Sequence, residues 1–120
     1  MLLTHHRKLD KWLQLGGHAD GDPDLAAVAQ REAHEESGLM GIRLLSPEVF
    51  DVDRHWIPER KGELGHYHHD LRFLFEAGPA EPLVCSSESK DLAWVELERV
   101  TALNPEESMA RMVRKTLALR

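Results

Sequence analysis

Apolar and polar positions alternate near the start of this chain, take up a helical period after the first glycines, and return to it at the C-terminal end. Residues 1–6 predict a short strand, residues 7–10 a polar turn, and residues 11–15 a second strand in which Trp12, Leu13 and Leu15 recur among polar positions. Two such runs around a short turn predict a hairpin, closed by Gly16 and Gly17. Beyond them, Leu25, Val28, Ala29 and Ala33 recur at the three- and four-residue spacing of one helix face. Asp22 suits the N-cap of that helix and Pro23 its first position, where a missing N–H is no loss. Gly38 suits the C-cap.

The second half is more broken. Residues 42–52 read as strand, interrupted near Ser46 and Pro47. Residues 55–65 carry Pro58, Gly62, Gly65 and many charges, and predict a loop. Residues 67–77 predict the best later strand, with Leu71, Phe73 and Phe75 on one face. Leu83, Val84 and Cys85 predict a short edge piece, and residues 92–97 another strand. Asn104, Pro105 and Glu107 open a last helix with a capping-box-like pattern. Met109, Met112, Val113 and Leu117 form its buried stripe, while Arg114, Lys115 and Arg120 complement its negative C-terminal end.

At 120 residues the chain is read as one domain, residues 1–120, with one hydrophobic core. The net charge of −6 argues against a nucleic-acid polymer as main partner, because that surface usually needs a basic patch. A polyphosphate substrate would have to be drawn in by local cations and metal rather than by the overall field. Cys85 stands alone, so no intrachain disulfide forms and a cytoplasmic setting is the expectation. No apolar run reaches membrane-spanning length, so no membrane partner is expected. The start lacks the basic-then-apolar layout of a signal peptide.

The chemistry concentrates in the first helix. Successive helical residues turn by about 100°, so Glu35 lies roughly 60° to one side of Glu32 and Glu36 roughly 40° to the other. Three like charges at neighbouring positions repel. A hard divalent cation such as Mg²⁺ favours carboxylate oxygens and is usually shared with substrate phosphates. On the carboxylates alone, a merely solvated acidic face is the commoner outcome.

The order of residues around them changes that balance. The Nudix (MutT-like) hydrolase signature reads Gly, five residues, Glu, seven residues, then Arg-Glu-apolar-any-Glu-Glu-any-Gly-apolar. The stretch from Gly17 to Leu39 resembles it closely. Gly17, Arg31, Glu32, Glu35, Glu36, Gly38 and Leu39 match in type and spacing, and Ala33 fills the first apolar slot. One position departs, since the family's first Glu falls on Pro23. The resemblance implies an α/β fold, an α/β/α sandwich around a mixed β-sheet. Family members generally carry one more strand before the one that starts here at Met1. The chain is therefore expected to lack that first strand, which leaves an open edge or core and invites a homodimer.

The resemblance also implies an activity. The family uses Mg²⁺ or Mn²⁺ to cleave a nucleoside diphosphate linked to another moiety, by attack of water on the diphosphate. Glu35 and Glu36 would be the main metal ligands, Glu32 a ligand or the base, and the Gly17 carbonyl a further ligand beside Gly16. Arg31 would orient the catalytic helix by pairing with a carboxylate. With Pro23 in place of a Glu, Asp20, Asp22 or Asp24 would have to support it. Glu88 is the one carboxylate of the run from Ser86 to Ser89 and an alternative base. The other functional class is a non-catalytic nucleotide-binding module of the same fold. A third reading, an unrelated acidic helical protein, requires the ordered match to be an accident.

Eight histidines are unusual for this length. His66, His68, His69 and Asp70 have the donors of a transition-metal site, but no Cys or fixed-spacing partner accompanies them. Contacts to substrate phosphate are the preferred reading for His68, and for His18 beside the Gly pair. His5, His6 and His34 are read as structural. Trp12 and Trp94 are read as core, whereas Trp56, in a polar segment, is the candidate for stacking on a nucleobase.

Overall fold

The computed structural model describes residues 1–119, so Arg120, assigned above to the last helical turn, lies outside the described residues. The N-terminal hairpin forms as expected. Strand β1 (Leu2–His6) pairs antiparallel with β2 (Lys11–Leu13), Thr4 opposite Leu13 and His6 opposite Lys11. The second strand ends two residues early, and Gln14 and Leu15 lead instead into the glycine loop. On its other edge β1 pairs with β7 (Ser89–Trp94), Leu2 opposite Trp94. That last strand begins before the predicted residue 92 and stops before Leu97. Leu97 is buried and opens a 3₁₀ turn (Leu97–Arg99) that runs into α2 (Val100–Leu103), a helix the sequence pattern did not reveal.

Helix α1 (Leu25–Ser37) carries the three glutamates. Its cap is Asp24, whose side chain accepts the Ala27 N–H at 3.2 Å, and not Asp22. Asp22 Oδ1 accepts the Asp24 N–H at 3.0 Å, and the Leu25 N–H goes back to the Pro23 carbonyl at 3.1 Å. Pro23 therefore precedes the cap instead of filling the first turn. At the other end Gly38 takes a left-handed conformation, φ 73°, and returns its N–H to His34 at 2.8 Å. The Val84 side chain occupies the space a Cβ there would need. Leu83, Val84 and Cys85 form no strand; the Val84 N–H bonds the Ser37 carbonyl at 2.7 Å instead.

The middle of the chain makes two further ladders. Strands β3 (Arg43–Leu44) and β6 (Phe75–Glu76) form a short antiparallel pair. Strands β4 (Asp51–Ile57) and β5 (His66–Arg72) form a longer one. The break predicted at Ser46 and Pro47 is present. Residues 55–57, predicted as loop, are strand, and the strand predicted over residues 67–77 is interrupted at Phe73 and Leu74. Local composition misled here because cross-strand partners, not propensity, hold the hairpin: His55 faces His68 and Trp56 faces Tyr67.

Helix α3 (Glu107–Leu117) starts after Glu106, so Asn104 is not its N-cap. Asn104 is buried and ties the helix to the hairpin, with Nδ2 donating to the Trp12 carbonyl at 2.9 Å and Oδ1 accepting the Glu106 N–H. The capping box is not made, because Glu107 pairs with Arg114. Met109, Met112 and Val113 are buried, but Leu117 is exposed in the last turn.

These elements place the core. Leu3, Leu97, Val100, Met109, Met112 and Val113 cluster between the β2–β1–β7 sheet and helices α2 and α3, with Met1, Trp12 and Val95 packed against them. Helix α1 is anchored separately, through Val28, Ser37 and Leu39. The α/β architecture is as expected. The parallel pairing that would make the sheet mixed is not found among the described residues: every recorded ladder is antiparallel, and none joins the three sheets. A wide cleft lies between them.

Candidate active site

The cleft has a volume of about 1620 Å³, above the roughly 300–1,000 Å³ common for small-molecule sites. Gly16, Gly17, His18, Glu32, Glu36 and His68 line its polar part. Two segments therefore meet there, the glycine loop after β2 and the inner face of α1. They are tied directly: the Gly16 N–H donates to Glu36 Oε2 at 3.1 Å. A Cβ on Gly17 would fall on the Glu32 carboxylate, so the absence of a side chain at Gly17 is what lets that group approach the main chain.

The three glutamates are not equivalent. Glu32 and Glu36 are half-buried and line the cleft, whereas Glu35 is exposed and does not. Burial pushes the Glu36 carboxyl from its ordinary 4.5 up to about 7. The Gly16 N–H works against that rise, and repulsion from Glu32, Glu88 and Glu35 adds to it. Glu88 is thus brought within electrostatic reach of Glu36 from the loop before β7, and it too lines the cleft.

A raised carboxyl has a definite sign in stability. The folded state holds the Glu36 proton more tightly than the unfolded chain, so the favourable contribution is present below pH 4.5 and is lost as pH rises through about 7. The metal-free protein is expected to melt at a lower temperature at pH 8 than at pH 5.5, and Mg²⁺ is expected to restore the difference. Melting curves with Mg²⁺ and with chelator at both pH values check this. An equal Mg²⁺ effect at the two pH values would count against Glu36 as a ligand.

The donor set fits a hard divalent cation. It consists of half-buried carboxylate oxygens in mutual repulsion, beside a main chain cleared of a side chain. Gly17→Ala is expected to weaken Mn²⁺ binding by roughly 10–100-fold, since it displaces the Glu32 carboxylate rather than removing it. The melting temperature of the metal-free variant should be nearly unchanged, because the displaced group is the mobile end of a long side chain. Calorimetric titration with Mn²⁺ and a melting curve separate the two effects.

Arg31 behaves otherwise than expected. It is exposed, and it makes no ion pair among the described residues. The expected supports are spent elsewhere: Asp24 caps α1 and Asp22 bonds the Asp24 N–H. Asp20 makes no bond to Arg31 either. The loss of the signature's first Glu at Pro23 is thus uncompensated.

The histidines divide as follows. His18 reaches the cleft from the glycine loop and lies 6.0 Å, centroid to centroid, from His68 on β5, so the two expected phosphate contacts are brought together. His5 pairs with Asp10, His6 Nδ1 accepts the Leu9 N–H, and His34 Nδ1 is bonded to the Leu39 carbonyl, all structural roles. Trp56 is not brought to the site. It alternates with His55 on β4, faces the opposite side of the hairpin, and packs edge-on against Tyr67 at 5.1 Å. Trp12 packs on the core, whereas Trp94, read as core, keeps 41% of its surface exposed.

Sequence reasoning missed a charged network beside the site. Asp51 is fully buried and receives Arg111 Nε at 2.7 Å, Lys115 Nζ at 2.6 Å and Arg72 Nη1 at 2.8 Å. Burial alone would raise the Asp51 carboxyl, but the hydrogen bonds from Arg111, Lys115 and Arg72 outweigh it and hold it well below the usual carboxylate range. A signal was available, since Asp51 interrupts the apolar run of Val49, Phe50 and Val52, and Arg111 and Lys115 lie one helical turn apart.

The model of the NUDIX domain matches residues 1–116. No curated protein matches. Among solved structures, an Ap4A hydrolase from C. elegans in a binary complex superposes with a TM-score of 0.76 at 21% identity, covering 98% of this chain and 83% of that one. A hydrolase of the NUDIX family from Clostridium perfringens superposes at 0.68 and 21% identity, covering 99% and 89%. At that identity the likeness is one of fold.

Proposed function

The chain belongs to the Nudix family, hydrolases of phosphoanhydride bonds, and we propose that it is a divalent-metal-dependent pyrophosphohydrolase cleaving a nucleoside diphosphate linked to a further moiety. The observation that carries this reading is the meeting of Glu32 and Glu36 with the Gly16–Gly17 main chain in one cleft. Glu36 and Glu35 are the proposed principal ligands of Mg²⁺ or Mn²⁺, with Glu32 as ligand or base and the Gly17 carbonyl as a further ligand. When bound, the ion neutralises charge on the phosphoryl oxygens and lowers the pKa of a bound water. Glu32, or Glu88 across the cleft, takes the water's proton. His18 and His68 donate N–H groups to phosphate oxygens, and Gly16 keeps the main chain close to them. Arg31 supplies a free guanidinium at the outer side of α1, available to substrate.

The substrate class proposed first is a dinucleoside polyphosphate. It is supported by one structural neighbour, which is an Ap4A hydrolase. The test is a panel of diadenosine polyphosphates, nucleotide sugars and nucleoside triphosphates, with Mg²⁺ or Mn²⁺ and separation of the products. Hydrolysis of one phosphoanhydride bond, which splits a dinucleoside compound into two nucleotides and is fastest on that class, is the expected result. Faster turnover of a nucleotide sugar or triphosphate would overturn the substrate class. A second reading, a binding module without turnover, draws on one observation, the lack of an ion pair at Arg31 among the described residues in a chain with Pro23 where the signature has Glu; saturable nucleotide binding with no product would establish it.

The same proposal takes residues 1–120 as one domain. A homodimer rests on the open edges of the three separate ladders. A cytoplasmic setting rests on the lone, exposed Cys85. No helix among the described residues is long and apolar enough to cross a membrane.

A further inference from the structure

The β4–β5 hairpin borders the cleft through β5, and its register stacks an unusual set of side chains on one face. Asp53 stands opposite Asp70, and His55 stands opposite His68. Because side chains two residues apart share a face of a strand, all four project together. Asp53, His55 and Asp70 each offer a ligand atom, and these atoms lie within 4.8 Å of one another. The set is distinct from the glutamates of α1. Its sequence signal is partial: the run from His66 to Asp70 carries transition-metal donors, and the partners absent beside them, Asp53 and His55, come from the other strand and are brought opposite only by register.

We propose that Asp53, His55 and Asp70 form a second metal site, selective for a borderline divalent transition ion such as Zn²⁺ or Co²⁺, with His68 as a fourth ligand. Two carboxylates and an imidazole are a donor set for such ions, whereas Mg²⁺ prefers oxygen alone. The spacing is close to what is needed. Ligands about 2.0–2.1 Å from a tetrahedral ion sit roughly 3.3 Å apart. His68 Nε2 is 3.3 Å from Asp70 Oδ1, and His55 Nδ1 is 4.0 Å from Asp70 Oδ2. The two imidazoles already stack at 4.9 Å.

The surroundings orient the carboxylates. Arg111 Nη2 holds Asp53 Oδ1 at 3.2 Å, which leaves Oδ2 for an ion, and Arg72 Nη2 lies 3.5 Å from Asp70 Oδ2. Both arginines are themselves fixed on buried Asp51. Such outer partners commonly set the direction of metal-binding carboxylates. His68 borders the cleft, so an ion here would sit beside the path of the phosphates without using the glutamates.

The test uses untagged full-length protein and Zn²⁺ or Co²⁺ alone. Wild type is expected to bind one equivalent outside the α1 site and to show the visible absorption of protein-bound Co²⁺. The Glu35→Gln/Glu36→Gln double variant, which disables the proposed Mg²⁺ site, should retain that signal. His55→Gln, at an exposed position, should weaken Zn²⁺ binding by at least roughly 10–100-fold. His68→Asn should alter the Co²⁺ spectrum, and circular dichroism confirms that each variant is folded. Unchanged Zn²⁺ affinity in folded His55→Gln, or loss of the Co²⁺ signal in the glutamate double variant alone, would overturn the proposal.

Discussion

Asp51→Asn is expected to destabilise the protein by about 3–5 kcal/mol, the usual cost of breaking a buried ion pair from one side. Asp51 has no exposed side-chain surface, and three cations converge on it, from β5 and from two successive turns of α3. Asn keeps the shape but not the charge, and it leaves Arg72, Arg111 and Lys115 facing one another. For a domain of this size the change corresponds to a fall of about 10–20 °C in melting temperature. The pH dependence has a definite sign. The folded Asp51 carboxyl lies below its ordinary value of 3.8, so its contribution is fully present above that pH and is lost as pH falls through the folded value. Melting curves of wild type and variant should therefore stay far apart from neutrality down to about pH 5 and converge only in strong acid. Equal melting temperatures at pH 7 would show that the network does not hold α3 to the hairpin.

Glu36→Gln is expected to lower kcat by roughly 10²–10³-fold, about 2.7–4 kcal/mol of transition-state stabilisation. Unusually, it should also raise the melting temperature of the metal-free protein at pH 8. The charged carboxylate is half-buried among Glu32, Glu35 and Glu88, and its removal relieves both desolvation and repulsion. The Gly16 N–H can still donate to the Gln oxygen, so the loop stays tied to α1. The opposite signs separate a functional strain from a fault in folding. A variant that lost stability and activity together would place Glu36 among structural residues.

The catalytic helix was legible in the sequence because its information is local. Val28 marks the buried side, the glutamates mark another face, and Gly38 satisfies a left-handed turn that few other residues accept. Its cap was misplaced by two residues because Asp22, Pro23 and Asp24 all carry helix-start chemistry, and only the backbone path decides among them. The N-terminal hairpin was legible for the same reason. The β4–β5 hairpin was not, since its strands hold together through partners such as His55 with His68 that only register brings opposite. Helix α2 has a single turn and no periodicity to read.

The candidate site shows the same division. Glu32, Glu36, Gly16, Gly17 and His18 belong to one stretch of chain and were legible together. His68 is brought to the same cleft from β5, whereas Trp56 sits in a polar segment that reads as loop, and strand alternation turns it to the far face of the hairpin. Asp51 and its three cations are separated by 21, 60 and 64 residues along the chain. Lys115 complements the helix dipole by sequence position alone, and the tertiary contact to Asp51 overrides that role.

Nucleoside monophosphate release from diadenosine tetraphosphate, followed in Mg²⁺ and in chelator, tests the central claim most directly. Turnover in Mg²⁺ that stops with chelator, returns with added Mn²⁺ and collapses in Glu36→Gln is the expected result. Turnover that continues in chelator, or that survives Glu36→Gln undiminished, would contradict a metal-dependent reaction at the face of α1.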